Sequence, residues 1–270
     1  LHDGVQISDI AFNGVGLSTE NSEQYTRDGT LAILTLPDSL APNSSLDISL
    51  NWKTKMPVRG FRTGFVDSTS AFIGFWYPQV AVYDAITGWD RHAYRGRWEF
   101  YQDYADFQVE ITLPDSFLVW GTGILQNPEE LLTSKFLRRY KNAQEAHDVI
   151  SIADSIDVAS GQVLQDHGKH TWLFHAQHVP DFAFAFSDHY QWDGVSVDSE
   201  QAGSAVFIQT AYVSDTTHFA DVAEMSQAAV THLSTAIPGV PFPYPTLKLF
   251  HNYHLGLGME FPMMVNQDIH

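Results

Sequence analysis

Residues 106–117 read DFQVEITLPDSF. Phe107, Val109, Ile111 and Leu113 alternate with Gln108, Glu110 and Thr112. A period of two puts the first set on one face of a strand and the second on the other, so the segment predicts a β-strand with one buried and one wet face. Pro114, Asp115 and Ser116 then end it, because Pro presets a turn while Asp and Ser hydrogen-bond the local backbone. The phrase returns as LTLPDSL at 34–40, which is shared turn chemistry and not a repeat.

The same reading extends outward to about residue 212. TLAILTLPDSL, SLDISLNWK, KHTWLFHAQHV and DFAFAFSD are short runs rich in Val, Ile, Thr, Phe and Tyr, punctuated by Pro, Gly, Asp, Asn and Ser, the pattern of a mostly β chain. Two segments break it. Residues 127–151 carry Leu131, Leu132, Phe136 and Leu137 at helical spacing, which fits a helical insertion or a long decorated loop. In residues 214–239, Phe219, Val222, Met225, Ala229 and Leu233 predict a helical stripe behind a Ser/Asp/Thr cap, closed by Pro238 and Gly239. A turn, PGVPFPYP, and two strands, TLKLFHN and GMEFPMMV, follow. The expected division is a β-rich region at 1–212 and the start of an α/β unit at 213–270.

Composition narrows the function. With 270 residues, the chain has room for one large domain or two ordinary ones. No run approaches the 18 or so apolar residues of a membrane helix. The 32 acidic residues against 14 Lys plus Arg give a net charge of −18, spread along the chain; such a surface repels nucleic-acid phosphates and anionic lipid headgroups. There is no cysteine, so disulfides and thiolate zinc clusters are excluded.

Candidate chemistry is sparse. His175 with His178, and His251 with His254, have i,i+3 spacing, but both pairs lie in strand-like sequence, where i and i+3 point to opposite faces. No HExxH, GxSxG or Walker motif occurs. Glu99, Asp103 and Asp106 lie among Trp98, Phe100 and Tyr101, either a carboxylate pair or sugar platform, or a polar strand edge with its aromatics partly in the core. Residues 256–262, GLGMEFP, place glycines beside a glutamate. Glycine in or beside a strand allows another backbone to approach, as when a peptide adds to a sheet edge, and a carboxylate there can accept charge-assisted hydrogen bonds from an ammonium group. A structural bulge with an exposed Glu fits the same letters.

Five stretches in order resemble the aminopeptidase-N-like gluzincin family of zinc metallopeptidases, and within it the bacterial branch that reads GGGMEYP. They are FWYPQVAVYD at 75–84, WEFYQDYADFQVEITLPDSFLVWGTGIL at 98–125, WLFHAQHVPDFAFAFSDHY at 172–190, PFPYPTLKLF at 241–250, and GLGMEFP itself. The resemblance implies a saddle-shaped, mostly β N-terminal domain followed by the truncated start of a thermolysin-like catalytic domain. It implies that Glu260 anchors the free α-ammonium of a peptide substrate while the backbone of Gly256, Leu257, Gly258 and Met259 lines the scissile bond.

The same resemblance implies a zinc cofactor whose ligands lie beyond residue 270, with no catalytic or metal-binding residue in this stretch. The stretch alone is then expected to be inactive, and the branch suggests a periplasmic or secreted setting. Leu257 and Phe261 depart from the branch pattern of Gly and Tyr, which bears on the fit around the substrate's first residue. Two rival readings remain at this point: a non-catalytic β-sandwich module that binds carbohydrate or a protein, and a scaffold homologue that has lost its zinc ligands.

Overall fold

The structure is a computed structural model that describes residues 4–18, 23–58, 62–94, 96, 101–198, 205–214, 219–253 and 258–268. Two compact units are present: one is Leu1–Lys55 with Trp76–Asp103, the other Met56–Phe75 with Tyr104–His270.

The first unit is built from small sheets. Gln6–Phe12 pairs with Val15–Gly16 and Ile48–Lys53, and two hairpins join Tyr25–Asp28 to Leu31–Leu34 and Tyr83–Asp84 to Gly88–Trp89. Ile10 and Phe12 point inward. In the second hairpin, Asp84 accepts the amides of Ile86 and Thr87, the side-chain turn that closes a tight loop.

The second unit contains three open sheets. Ala105–Pro114 pairs with Lys169–Val179, which also takes Ile124–Leu125. The alternation read from sequence holds: Phe107, Val109, Ile111 and Leu113 are buried or half-buried and the residues between them exposed. Opposite them, Trp172, Phe174 and Ala176 are buried. Leu118–Gly121, Phe184–Ser187, Ala71–Ile73 and Gly64–Phe65 form a four-stranded antiparallel sheet.

The third sheet has six strands, in the order Ile150–Ala153, Gln191–Val197, Val206–Tyr212, Thr246–His251, Met264–Gln267 and Met259–Phe261. It draws strands from both sides of residue 212. Val206–Tyr212 and Thr246–His251 run parallel, and parallel neighbours need a crossover. The helix Val222–Thr235 supplies it.

That helix differs in phase from the expected stripe. Val222, Ala223, Ser226 and Val230 are its buried residues, and the apolar three pack with Phe219 against Ile208, Tyr212 and Leu249. Met225 and Leu233 are 60% and 51% exposed, and Ala229 is exposed. The two stripes share Val222 and part after it: the expected one steps to the apolar Met225, whereas the buried face runs through Ser226, a small polar residue that gives no apolar signal. The expected Ser/Asp/Thr cap also differs. The residue before the first turn is Asp221, whose side chain makes no capping bond, and residues 215–217 lie outside the described residues.

Residues 127–151 hold helices, and end in the strand that begins at Ile150. Pro128–Leu131 and Ser134–Ala143 are short helices, with Leu131, Leu132 and Phe136 buried. Overall the chain is mostly β, with several open sheets and few helices. Among the described residues, no helix is long and apolar enough to cross a membrane.

Candidate functional site

Met259, Glu260 and Phe261 form the edge strand of the six-stranded sheet. Pro262 and Met263, the latter at φ +60, turn the chain back into Met264–Gln267. Met259 then pairs with Asn266, Glu260 with Val265 and Phe261 with Met264. Directly opposed residues share a face. Val265 pairs with Leu249, Leu249 with Thr210 and Thr210 with Asp193, so Glu260 lies on the face packed by the helix Val222–Thr235. Met259 and Phe261 lie on the other face.

Glu260 is exposed. A Cβ on Gly258 would lie 3.0 Å from its Oε1, so the missing side chain leaves room for the carboxylate. Among the described residues Glu260 has no hydrogen-bond or ion-pair partner. Its acceptor oxygens are therefore available to a ligand. Gly256, Leu257 and His254 lie outside the described residues.

The strand is fixed from behind. Phe261 is 7% exposed, its ring centroid 5.5 Å from that of Phe72 and 5.0 Å from that of Phe75. Thr122 Oγ donates to Pro262 O at 2.9 Å, and Lys248 N donates to Met263 O at 2.9 Å. Lys248 is itself buried, and its Nζ donates to the carbonyls of Gly121 at 2.7 Å and Gly123 at 2.5 Å. Burial pushes its pKa down to about 7. The available signal was a Lys standing in the run TLKLF, where its neighbours are apolar.

Two polar groups of the second unit also escaped the sequence reading. Tyr212 donates its hydroxyl to Asp193 Oδ2 at 2.5 Å, and burial raises the Asp193 pKa. Beyond the Thr246–His251 strand, the Tyr253 hydroxyl donates to Asp67 Oδ2 at 3.3 Å, and His189 bridges Asp188 at 2.8 Å and Asp67 at 3.4 Å. No sequence motif marks either group, because Asp193 and Tyr212, and likewise Asp67, His189 and Tyr253, are far apart in the chain.

Other candidates are not brought together. His175 is half-buried within its strand, whereas His178 is exposed at φ +53. The His178 ring stacks on Tyr104 at 4.6 Å and its amide donates to Asp106 Oδ1 at 2.8 Å. Asp106 is thus a local backbone anchor. Tyr101 is 58% exposed, against its expected place partly in the core; Trp98, Glu99 and Phe100 lie outside the described residues. Among the described residues no three His, Asp or Glu side chains converge as a metal site. They do not supply a zinc donor set.

No protein-family profile and no curated protein matches the sequence. Solved structures match in fold. Legionella pneumophila aminopeptidase A in complex with aspartic acid aligns with a TM-score of 0.58 at 10% identity, over 97% of this chain and 25% of that one. An M1 zinc metallopeptidase from Deinococcus radiodurans aligns at 0.55 and 15% identity, over 97% of this chain and 50% of that one. A two-domain M1 zinc metallopeptidase mutant bound to L-arginine gives 0.57 at 14% identity, with the same coverage. The chain therefore spans between a quarter and half of these structures, and has the fold of part of an M1 zinc metallopeptidase.

Proposed function

We propose that residues 1–270 are the N-terminal part of a zinc aminopeptidase that removes N-terminal residues from peptides. The observation that carries this reading is Glu260, an exposed edge-strand carboxylate that has no partner among the described residues. An extended peptide adding to that edge meets backbone donors and acceptors along its length, while Glu260 takes its free α-ammonium. An internal segment of a peptide has no such ammonium, so the ion pair selects for chain ends. The backbone of Gly256, Leu257, Gly258 and Met259 lines the scissile bond in this reading.

The fold likeness to M1 zinc metallopeptidases supports it, as does the crystallisation of such proteins with amino acids or a Tyr-Ser-Ala substrate. In the proposed protein the metal ligands lie beyond residue 270, residues 213–270 open the catalytic domain, and the setting is periplasmic or secreted. Residues 1–270 alone are inactive. The test is to sequence the gene past this point and assay both forms on aminoacyl p-nitroanilides. The proposal expects HExxH with a Glu about twenty residues on, and chelator-sensitive hydrolysis by the longer protein only. Chelator-sensitive hydrolysis by residues 1–270 would contradict it.

One observation favours a second reading. Tyr83 and Trp89 are 64% and 51% exposed on one hairpin, ring centroids 5.2 Å apart, which is the kind of aromatic surface that a carbohydrate-binding module presents. Glycan binding without peptidase activity in the complete protein would select that reading.

A further inference from the structure

Lys248 is costly where it stands. Its side chain is 3% exposed, and among the described residues no carboxylate pairs with it; its Nζ reaches only the carbonyls of Gly121 and Gly123 and the face of Phe174, 5.8 Å from the ring centroid. Desolvation of the ammonium lowers its pKa to about 7. An apolar side chain of similar length would fill the space without that penalty. The reason for a lysine lies in what its two acceptors flank.

Between Gly121 and Gly123 stands Thr122. Its amide donates to Ala183 O at 2.8 Å and its Oγ accepts from Ala183 N at 3.1 Å, which leaves the hydroxyl proton for Pro262 O at 2.9 Å. The turn cannot retreat from that carbonyl. Gly123 sits at φ +89, and a Cβ there would meet His175 O at 2.2 Å, so the turn already lies against the neighbouring strand. Lys248 also reaches the same hairpin directly, through its amide bond to Met263 O at 2.9 Å. One residue thus holds the Pro262–Met263 turn twice, once by its backbone and once through the 121–123 turn.

We infer that Lys248 and Thr122 are positioning residues for Glu260, a brace that sets the height of the Met259–Phe261 strand at the substrate edge. The inference rests on the anchoring role proposed for Glu260. The strand has three residues, too few to hold its own register by ladder bonds alone, and an ion pair with a substrate ammonium is sensitive to displacements of about 1 Å. Without the brace the carboxylate still exists, but its position over the edge is no longer unique.

The test uses the complete protein with Thr122→Val, which removes one hydroxyl, and Lys248→Met, which removes the ammonium. Each is made with Glu260 intact and with Glu260→Ala, and KM and kcat are measured on an aminoacyl p-nitroanilide. Thr122→Val is expected to raise KM about tenfold with kcat within about twofold, and to have no effect on KM once Glu260 is Ala, because coupled residues act non-additively. Where Glu260→Ala itself alters KM, a Thr122→Val effect of equal size in both backgrounds, or no effect in either, overturns the inference. Hydrogen exchange separates the brace from the anchor. Faster exchange across 258–264 in Thr122→Val, with 105–114 unchanged, supports the brace even where Glu260→Ala leaves KM unaltered and the anchoring role falls. Unchanged exchange across 258–264 overturns it. Thr122→Val keeps both measurements available where Lys248→Met does not fold.

Discussion

The ring of Phe261 occupies the space that a side chain at residue 74 would need: a Cβ on Gly74 would lie 2.4 Å from Phe261 Cζ. The edge strand that carries Glu260 is thus seated against the backbone at the end of Ala71–Ile73, with Phe72 and Phe75 on the same ring. Gly74→Ala forces that ring off its rotamer or the strand outward. It is expected to cost about 1–3 kcal/mol in denaturant unfolding. A fully tolerated Gly74→Ala would show that Phe261 does not seat the strand.

Tyr212 and Asp193 predict a second loss. The hydroxyl is one of the donors to a carboxylate whose burial raises its pKa. Tyr212→Phe keeps the ring and removes the donor, leaving a buried oxygen under-satisfied. The expected loss is about 1–3 kcal/mol by chemical denaturation at neutral pH. As pH falls and Asp193 takes up a proton, the loss shrinks, since a neutral carboxyl requires less compensation.

Lys248 predicts a pH dependence of stability. Its folded pKa of about 7 lies below the unfolded value of about 10.4. Between those values the unfolded chain holds a proton that the folded chain has released, so the Lys248 contribution to stability rises with pH across that window. Below pH 7 the folded protein carries the buried ammonium at full cost. The stability difference between the wild type and Lys248→Met is therefore expected to move in favour of the wild type from pH 7 to pH 10, read by denaturant midpoints at each pH. A difference that is flat over that range would show that Lys248 stays protonated in the fold.

The phase of the Val222–Thr235 helix is checked by two substitutions. Met225→Lys, on the exposed side, is expected to change stability by no more than about 0.5 kcal/mol. Val230→Ala, on the face packed against the sheet, is expected to cost about 1–3 kcal/mol. The reverse order would restore the stripe read from the sequence.

The strands were legible because one rule governs each of them. The alternation at 107–113 survives in the structure because that strand has one core face and one wet face. The helix at 222–235 was legible in existence but not in phase, because after the buried Val222 the apolar Met225 faces outward and Ser226 inward. Ser226 is on its buried face and could not be foreseen there, since a small polar residue gives no apolar signal. Gly258, Met259 and Glu260 were legible as a motif. Their setting was not: the brace depends on Thr122 and Lys248, 126 residues apart in number, and long-range backbone contacts leave no local pattern. The His175–His178 pair shows the opposite case, a visible spacing that the strand geometry does not turn into a site.

The central claim is that Glu260 holds the amino terminus of a peptide. The most direct measurement is kcat/KM of the complete protein on an aminoacyl p-nitroanilide, wild type against Glu260→Ala. A carboxylate–ammonium bond contributes about 1.5–3 kcal/mol, so the account predicts a loss of about 10- to 150-fold, carried mainly by KM. An unchanged kcat/KM would contradict it.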